Sequence, residues 1–201
     1  MINKKGFTPT LENDIAKSGR RPMPFFSAGF TILETIVAIS IISLVIAGVF
    51  SALRTGLSAS INSKDEIRAF YLAQEAIEVL KQKRDSNKLI SINTDPNQGW
   101  LDGIADPGNP CTPGNTCKVD ATNMTLENCG GGGCGYLKQS PTNFTYGYDE
   151  NNEGWPETKY TREIQISNNG ADEIEVFISV QWSRGSQNYE FKVKTLLLNW
   201  R

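Results

Sequence analysis

Residues 29–53 read Gly-Phe-Thr-Ile-Leu-Glu-Thr-Ile-Val-Ala-Ile-Ser-Ile-Ile-Ser-Leu-Val-Ile-Ala-Gly-Val-Phe-Ser-Ala-Leu. No charged residue occurs from Thr35 to Leu53, and aliphatic side chains dominate. A helix over these positions would be roughly 28 Å long at about 1.5 Å per residue, close to the ~30 Å hydrocarbon core of a bilayer. We therefore expect a membrane-spanning helix, and we expect it to determine the organisation of the whole chain.

The charge is distributed unevenly on the two sides of this run. The first 29 residues carry five basic and two acidic side chains, a net charge of +3. Because the whole chain has a net charge of −2, the residues after Gly29 carry a net charge of −5. The positive-inside rule places the N-terminus in the cytoplasm and the rest of the chain outside it. An acidic remainder argues against a nucleic-acid groove as the main function of the domain.

Two simpler interpretations of the run stay open at this point. A secretory signal would need a small-residue cleavage site, and Ser58-Ala59-Ser60 offers one. A plain single-pass anchor requires only the apolar run itself. A buried core helix is disfavoured, because its apolar run would be shorter and less uniform. Neither simple interpretation explains Glu34, a carboxylate at the edge of an apolar run, where it is costly without a partner.

The string Gly29-Phe30-Thr31-Ile32-Leu33-Glu34, behind a basic leader, resembles the processing motif of type IV prepilins and type II secretion pseudopilins. The resemblance implies that a prepilin peptidase cuts after Gly29 and that the new N-terminus, Phe30, is N-methylated. It also implies that Glu34 pairs with the amino group of Phe30 on a neighbouring subunit. The implied partners are the peptidase, other pilin or pseudopilin subunits and an inner-membrane assembly platform.

A second, shorter match occurs within the leader, from Gly6 to Glu12. No apolar run follows it, and Pro9 would break a helix that began there. We therefore predict a single cut site, with residues 1–29 as the cleaved leader.

The helix is expected to continue beyond the apolar run. No proline occurs between Pro24 and Pro96, so one helix can extend from about Phe30 to Arg84. We divide it into a transmembrane and assembly part, 30–54, and an amphipathic continuation, 55–84. The predicted apolar stripe of the continuation comprises Ile61, Phe70, Ala73, Ile77 and Leu80. Charged residues, Asp65 and Glu75 among them, are expected on the opposing faces.

Residues 85–201 are predicted to form the extracytoplasmic domain, and its first part, 95–156, is rich in Gly, Pro, Asn and Thr. We expect long loops there, with at most short strands around Gly135–Tyr148. All four cysteines lie in this part, at Cys111, Cys117, Cys129 and Cys134.

Disulfides are favoured over a zinc site because there is no C-x-x-C spacing, no histidine and an extracytoplasmic location. Four cysteines allow three connectivities. Pairing of Cys111 with Cys117 and of Cys129 with Cys134 is preferred, because the glycine run 130–133 permits a tight loop.

The acidic stretch that begins at Asp149 starts like a calcium loop, with candidate oxygen ligands at Asp149, Asn151 and Glu153. The twelfth position of such a loop, normally a bidentate Glu, is Tyr160 here. A solvated acidic turn is the preferred interpretation, so we predict no metal.

The C-terminal part, 158–201, has the alternation of half-buried strands. The row Ile174, Val176, Ile178, Val180 and Trp182 alternates with mostly polar residues, and a turn at Arg184–Asn188 precedes a second alternating run. An earlier strand, Tyr160–Ser167, completes an antiparallel meander of at least three strands. The predicted fold is α+β and pilin-like, with a long N-terminal helix packed on a small antiparallel C-terminal sheet.

No catalytic motif or cofactor-binding motif is recognised, and we predict a non-enzymatic protein without a cofactor. The first hypothesis is a minor subunit of a type IV pilus that acts in priming, adhesion or DNA uptake at the tip. The alternatives are a minor pseudopilin of a type II secretion system and a membrane-tethered binding module that never polymerises.

Overall fold

The computed structural model of the chain describes residues 29–106, 108–148, 154–168 and 170–200. The leader before Gly29 and the candidate calcium ligands Asp149, Asn151 and Glu153 lie outside the described residues. The chain divides into two units, Met1–Ser51 and Ala52–Arg201. One long helix and an antiparallel seven-stranded sheet confirm the predicted α+β class.

Helix α1 spans Ile32–Asn93 and therefore continues past Arg84, where the apolar periodicity fades. Its last turn closes when the amides of Thr94 and Asp95 both donate to the carbonyl of Ile90, at 2.8 and 2.9 Å. Pro96 follows directly and prevents further helix. The helix therefore ends at Asn93, between three and four turns beyond Leu80, the last residue of the predicted stripe.

The face of α1 that is buried in the second unit differs from the predicted stripe. Its buried residues are Asp65, Ala69, Leu72, Ala73, Ala76, Val79, Leu80 and Asn87. Phe70, predicted to be core, is 49 % exposed, and Ile61 is 43 % exposed. The reason is steric, because the small alanines at 69, 73 and 76 permit close approach to a sheet and the large ring of Phe70 is left at the margin.

Seven strands follow the helix. They are β1 Thr116–Asp120, β2 Thr125–Asn128, β3 Tyr136–Gln139, β4 Tyr146–Gly147, β5 Glu157–Asn168, β6 Glu173–Arg184 and β7 Gln187–Leu198. A short 3-10 helix, Gly130–Gly132, lies between β2 and β3. The predicted meander is β5–β6–β7. Strands β1 and β2 arise in the segment that the composition predicted to be loop.

Strand β5 is the centre of the sheet. One edge of β5 pairs with β6 from Tyr160↔Trp182 onward, and β6 pairs with β7 over its full length. The other edge is shared, because β3 pairs near Thr161 and β1 pairs near Ile164. Two short strands thus occupy the edge that a single long strand would fill.

The inner face of the sheet carries the core. Its buried members from the three long strands are Tyr160, Arg162, Ile164, Ile166, Ile174, Val176, Ile178, Val180, Trp182 and Leu197. The row on β6 is the one that the alternation predicted. Arg162 is the exception, since a charged side chain occupies an apolar position with 0 % exposure.

The hydrogen-bond partners of the Arg162 guanidinium lie on two elements, α1 and β1. Nη1 donates to the carbonyl of Leu72 at 2.7 Å and to Oε2 of Glu75 at 2.8 Å, both on α1. Nη2 donates to the carbonyl of Val119 on β1 at 2.6 Å. A buried cation is tolerated only with such partners, so Arg162 ties the helix, β5 and β1 together.

Replacing Arg162 with Met keeps much of its apolar volume but leaves two buried carbonyls and Glu75 without their donor. We expect the domain to lose about 2–4 kcal/mol of unfolding free energy, measured by denaturant unfolding of the detergent-solubilised chain. Lys192→Met is the matched control, because its side chain is 71 % exposed and the expected loss is below about 0.5 kcal/mol. Equal effects of the two substitutions would contradict the role given to Arg162.

Candidate functional site

The first candidate site is the head of the helix. Gly29, Phe30 and Thr31 precede α1 without regular secondary structure and are exposed, Phe30 to 77 %. The Thr31 hydroxyl accepts a hydrogen bond from the amide of Glu34 at 3.2 Å. Thr31 is therefore the N-cap of the helix and Glu34 its third residue, a spacing typical of a capping box.

This geometry gives Glu34 a local role that the sequence interpretation missed. A carboxylate in the first turn interacts favourably with the positive end of the helix dipole. Among the described residues no cation forms an ion pair with Glu34. The structure thus brings Thr31 and Glu34 together and leaves the carboxylate accessible at the start of the helix.

The apolar run behind Glu34 has no cover within the described residues. Its most apolar window is 0 % buried, and large side chains on all sides are exposed, for example Leu44 at 74 %. Two of its hydroxyl groups bond to the helix itself, since those of Thr35 and Ser40 donate to the carbonyls of Ile32 and Ile36, both at 2.8 Å. By length and composition the helix can span a membrane.

In the second unit a polar clamp joins α1 to β5. Lys159 Nζ donates to Oδ2 of Asp65 at 2.5 Å, and the Tyr160 hydroxyl donates to Oδ1 at 3.1 Å. Asp65 is 3 % exposed, so its predicted position on the solvent face of the helix is wrong. Its burial is possible because consecutive residues at the start of β5 satisfy both carboxylate oxygens.

Opposing effects act on the ionisation of this clamp. Burial raises the pKa of Asp65, but the hydrogen bond and charge of Lys159, the hydrogen bond of Tyr160 and the charge of Arg184 outweigh it, so that the pKa lies below the usual 3.8. Burial, followed by the charge of Asp65, raises the pKa of Tyr160 to about 12. The clamp therefore combines an ionised Asp65 with a neutral Tyr160 at neutral pH.

The cysteines form two disulfides, Cys111–Cys117 and Cys129–Cys134, the preferred pairing. Cys117 lies in β1 opposite Ile164 of β5, and Cys134 just precedes β3. The bridges therefore lie where the two short strands meet the central strand. Within the described ranges, no group of three or more His, Cys, Asp or Glu is placed to hold a metal ion.

A second clamp fastens the hairpin between β6 and β7 to the helix. Arg184 Nη1 donates to Oδ1 of Asn62 at 2.7 Å and to the carbonyl of Ser58 at 3.5 Å. Gly185, with φ of 61°, makes the tight turn beyond Arg184. The alternation predicted this turn, but nothing in the sequence pattern indicated which part of the helix it would contact.

Comparison of the chain with protein-family models, with curated proteins and with solved structures returned no match.

Asp65→Asn tests the first clamp through its pH dependence. The pKa of Asp65 is lower in the folded state than in the unfolded state. Ionised Asp65 therefore stabilises the fold fully at pH values above the unfolded-state pKa, and this stabilisation is lost as pH falls through the lower, folded-state pKa. We expect wild type to exceed the variant in unfolding free energy at neutral pH, and the difference to shrink as pH falls below 3.8.

Glu66→Gln is the control, because it removes an exposed carboxylate next to Asp65 in the sequence. It should leave the unfolding free energy nearly unchanged at every pH. A difference between wild type and Asp65→Asn that stays constant down to low pH would contradict the ionised clamp.

Proposed function

We propose that the chain is the precursor of a non-enzymatic minor subunit of a type IV pilus, anchored in the membrane by its apolar helix before it joins the filament. The observation that carries the proposal is the uncovered apolar run headed by the Gly29–Glu34 motif. An exposed apolar surface of this length requires an apolar environment on every side. A bilayer provides it before assembly, and a bundle of like helices provides it afterwards.

The accessible carboxylate supports assembly rather than anchoring alone. Beyond the favourable interaction with the helix dipole, a plain anchor has no use for a charge at the head of its span, where an unpaired carboxylate is costly once it is desolvated. In the filament, Glu34 pairs with the methylated amino group of Phe30 on the neighbouring subunit. Both charges are then satisfied in a poorly solvated setting, and removing either leaves the other uncompensated.

The second unit would form the outward-facing part of the subunit. Its two disulfides suit an oxidising compartment outside the cytoplasm. Its loops between residues 95 and 156 are the natural location of specificity for a receptor or cargo. A pseudopilus subunit would be processed in the same way and would use the same helix. The pilus or secretion machinery encoded by the neighbouring genes would distinguish the two kinds of filament.

Glu34→Gln and Glu34→Ala test assembly directly. Gln keeps the size of the side chain and the Thr31 cap, so its effect reports on charge alone. Loss of a buried ion-pair partner costs about 3–5 kcal/mol, and we expect incorporation into sheared filaments to fall roughly a hundredfold or more, while the amount of membrane-bound protein is unchanged. Immunoblotting of the sheared and membrane fractions measures both quantities.

Glu66→Gln is the matched control, because it removes an exposed carboxylate from the same helix and should enter filaments like wild type. If Glu34→Gln and Glu34→Ala also enter filaments like wild type, the pairing is absent. If wild type itself stays in the membrane fraction of cells that make filaments, the chain is a non-polymerising tether.

A further inference from the structure

Nearly the same short sequence occurs at the tips of two hairpins in the second unit. Residues 122–125 read Thr-Asn-Met-Thr, and residues 142–145 read Thr-Asn-Phe-Thr. The first stretch closes the β1–β2 hairpin and the second closes the β3–β4 hairpin. We call residues 121–124 and 141–144 the twin tips. Each begins the pattern Asn-x-Thr, in which the asparagine is an acceptor for a glycan in exported proteins.

The twin tips share a backbone conformation as well as a sequence. Met124 has φ of 55° and Phe144 has φ of 60°, so the fourth residue of each tip is left-handed. This conformation is unfavourable for large side chains, and glycine or asparagine normally occupies it. Both side chains are nevertheless apolar and exposed, Met124 to 44 % and Phe144 to 68 %. Packing in the core therefore does not explain either residue.

A side-chain oxygen braces the start of each tip in a similar way. At the first tip, the amide and the hydroxyl of Thr122 both donate to Oδ1 of Asp120, at 2.8 and 2.5 Å. At the second tip, the amide of Thr142 donates to Oγ of Ser140 at 3.4 Å, and the two hydroxyls share a hydrogen bond of 2.9 Å. Sequence, conformation and bracing thus recur together, which indicates a shared role.

The twin tips are neighbours within the second unit. The amide of Tyr148 donates to Oδ2 of Asp120 at 2.9 Å, which joins the end of β4 to the base of the first tip. A Cβ at Gly147 would lie 3.1 Å from Cγ2 of Thr122. Gly147 is three residues from Phe144, a separation of about 10 Å in an extended chain. Groups attached to the two tips would therefore share one surface of the domain.

The acceptor asparagine is described most completely at the second tip. Oδ1 of Asn143 accepts hydrogen bonds from the amide of Thr145 at 3.2 Å and from its hydroxyl at 2.8 Å. Because the side-chain amide is planar, fixing Oδ1 against Thr145 turns Nδ2 away from it. Asn143 is exposed, and its Nδ2 donates no hydrogen bond to any described residue. The nitrogen that would carry a sugar is thus accessible, and the bonds to Oδ1 can persist after attachment.

We propose that Asn123 and Asn143 are acceptors for N-linked glycans. The inference rests on the extracytoplasmic location of the second unit in the proposed function. The donor is an oligosaccharide that is linked to a lipid through pyrophosphate. Nδ2 forms a bond to the anomeric carbon of the sugar, and the bond from that carbon to the pyrophosphate oxygen breaks. The lipid pyrophosphate leaves, and the proton lost from the amide goes to a base of the transferring enzyme.

Glycan attachment also accounts for the exposed apolar side chains of the tips. Each acceptor is followed directly by one of them, Met124 or Phe144. A sugar ring has an apolar face of C–H groups, and packing of that face on a neighbouring apolar side chain removes both surfaces from water. The two glycans would cover the surface that the twin tips share.

The test uses the full-length chain produced in the cells that encode it, and a lysine reagent that does not cross membranes confirms its export. We expect the exported protein to exceed the mass of its processed sequence by two glycans, and peptide fragmentation to locate one on each acceptor. Asn123→Gln and Asn143→Gln should each remove one glycan, and the double variant should carry none. Asn97→Gln is the matched control, because Asn97 lies in an exposed turn but is followed two residues later by Gly99.

Substitutions of Thr145 test the acceptor pattern itself. Thr145→Ser keeps the hydroxyl and should retain the glycan on Asn143, whereas Thr145→Val keeps the shape and should lose it. The intact mass without reduction shows whether both disulfides form, which separates loss of the glycan from a folding defect.

Three results would overturn the glycosylation and leave the proposed filament subunit in place. They are exported wild type without sugar, a glycan on only one of the two asparagines, and sugar that persists in the double variant. Wild type that is not exported contradicts the proposed function as well.

Discussion

The packing of the second unit depends on one buried cation. The guanidinium of Arg162 bonds to the backbone of α1 at Leu72 and to the backbone of β1 at Val119, while Arg162 itself belongs to the central strand β5. Because β1 shares an edge of β5 with β3, its backbone pairing to β5 covers only Thr116 and Cys117. A side chain that satisfies carbonyls on both sides of the core compensates for that short ladder, and the nearby disulfide from Cys117 reinforces it.

A different constraint governs the first unit. Its described residues carry apolar side chains that are exposed on every face, and the hydroxyls of Thr35 and Ser40 donate to carbonyls of the helix backbone. Such a segment can remain helical in lipid because every backbone group is bonded within the helix. The same surface suits a bundle of like helices, so the physical requirements of anchor and assembly are compatible in one segment.

The parts of the fold that follow from local pattern were predictable. The alternation on β6 identified five inner positions, and all five are buried. The turn at Arg184–Asn188, which contains Gly185, and the long helix, which contains no proline, were also predicted from the sequence. The disulfide pairing was also preferred correctly, since short spacing and a glycine run favour local bridges.

What the pattern did not predict depends on tertiary partners. Asp65 and Arg162 are charged residues in the core, and their burial is explained by partners distant in sequence, from 43 residues away for Val119 to 95 for Tyr160. Strands β1 and β2 have few apolar residues, so pairing with β5 and between themselves, rather than propensity, defines them. The spacing of Thr31 and Glu34 would have predicted the capping contact at the head of the helix. The processing motif instead implied a role for the Glu34 carboxylate in assembly.

The central claim, that the chain is a precursor processed for filament assembly, is tested most directly by the intact mass and N-terminal sequence of the protein from cells with an active prepilin peptidase. We expect residues 1–29 to be absent and the mature chain to begin with a methylated Phe30. A chain that retains its leader in those cells, or one cut after Ser60, would contradict it.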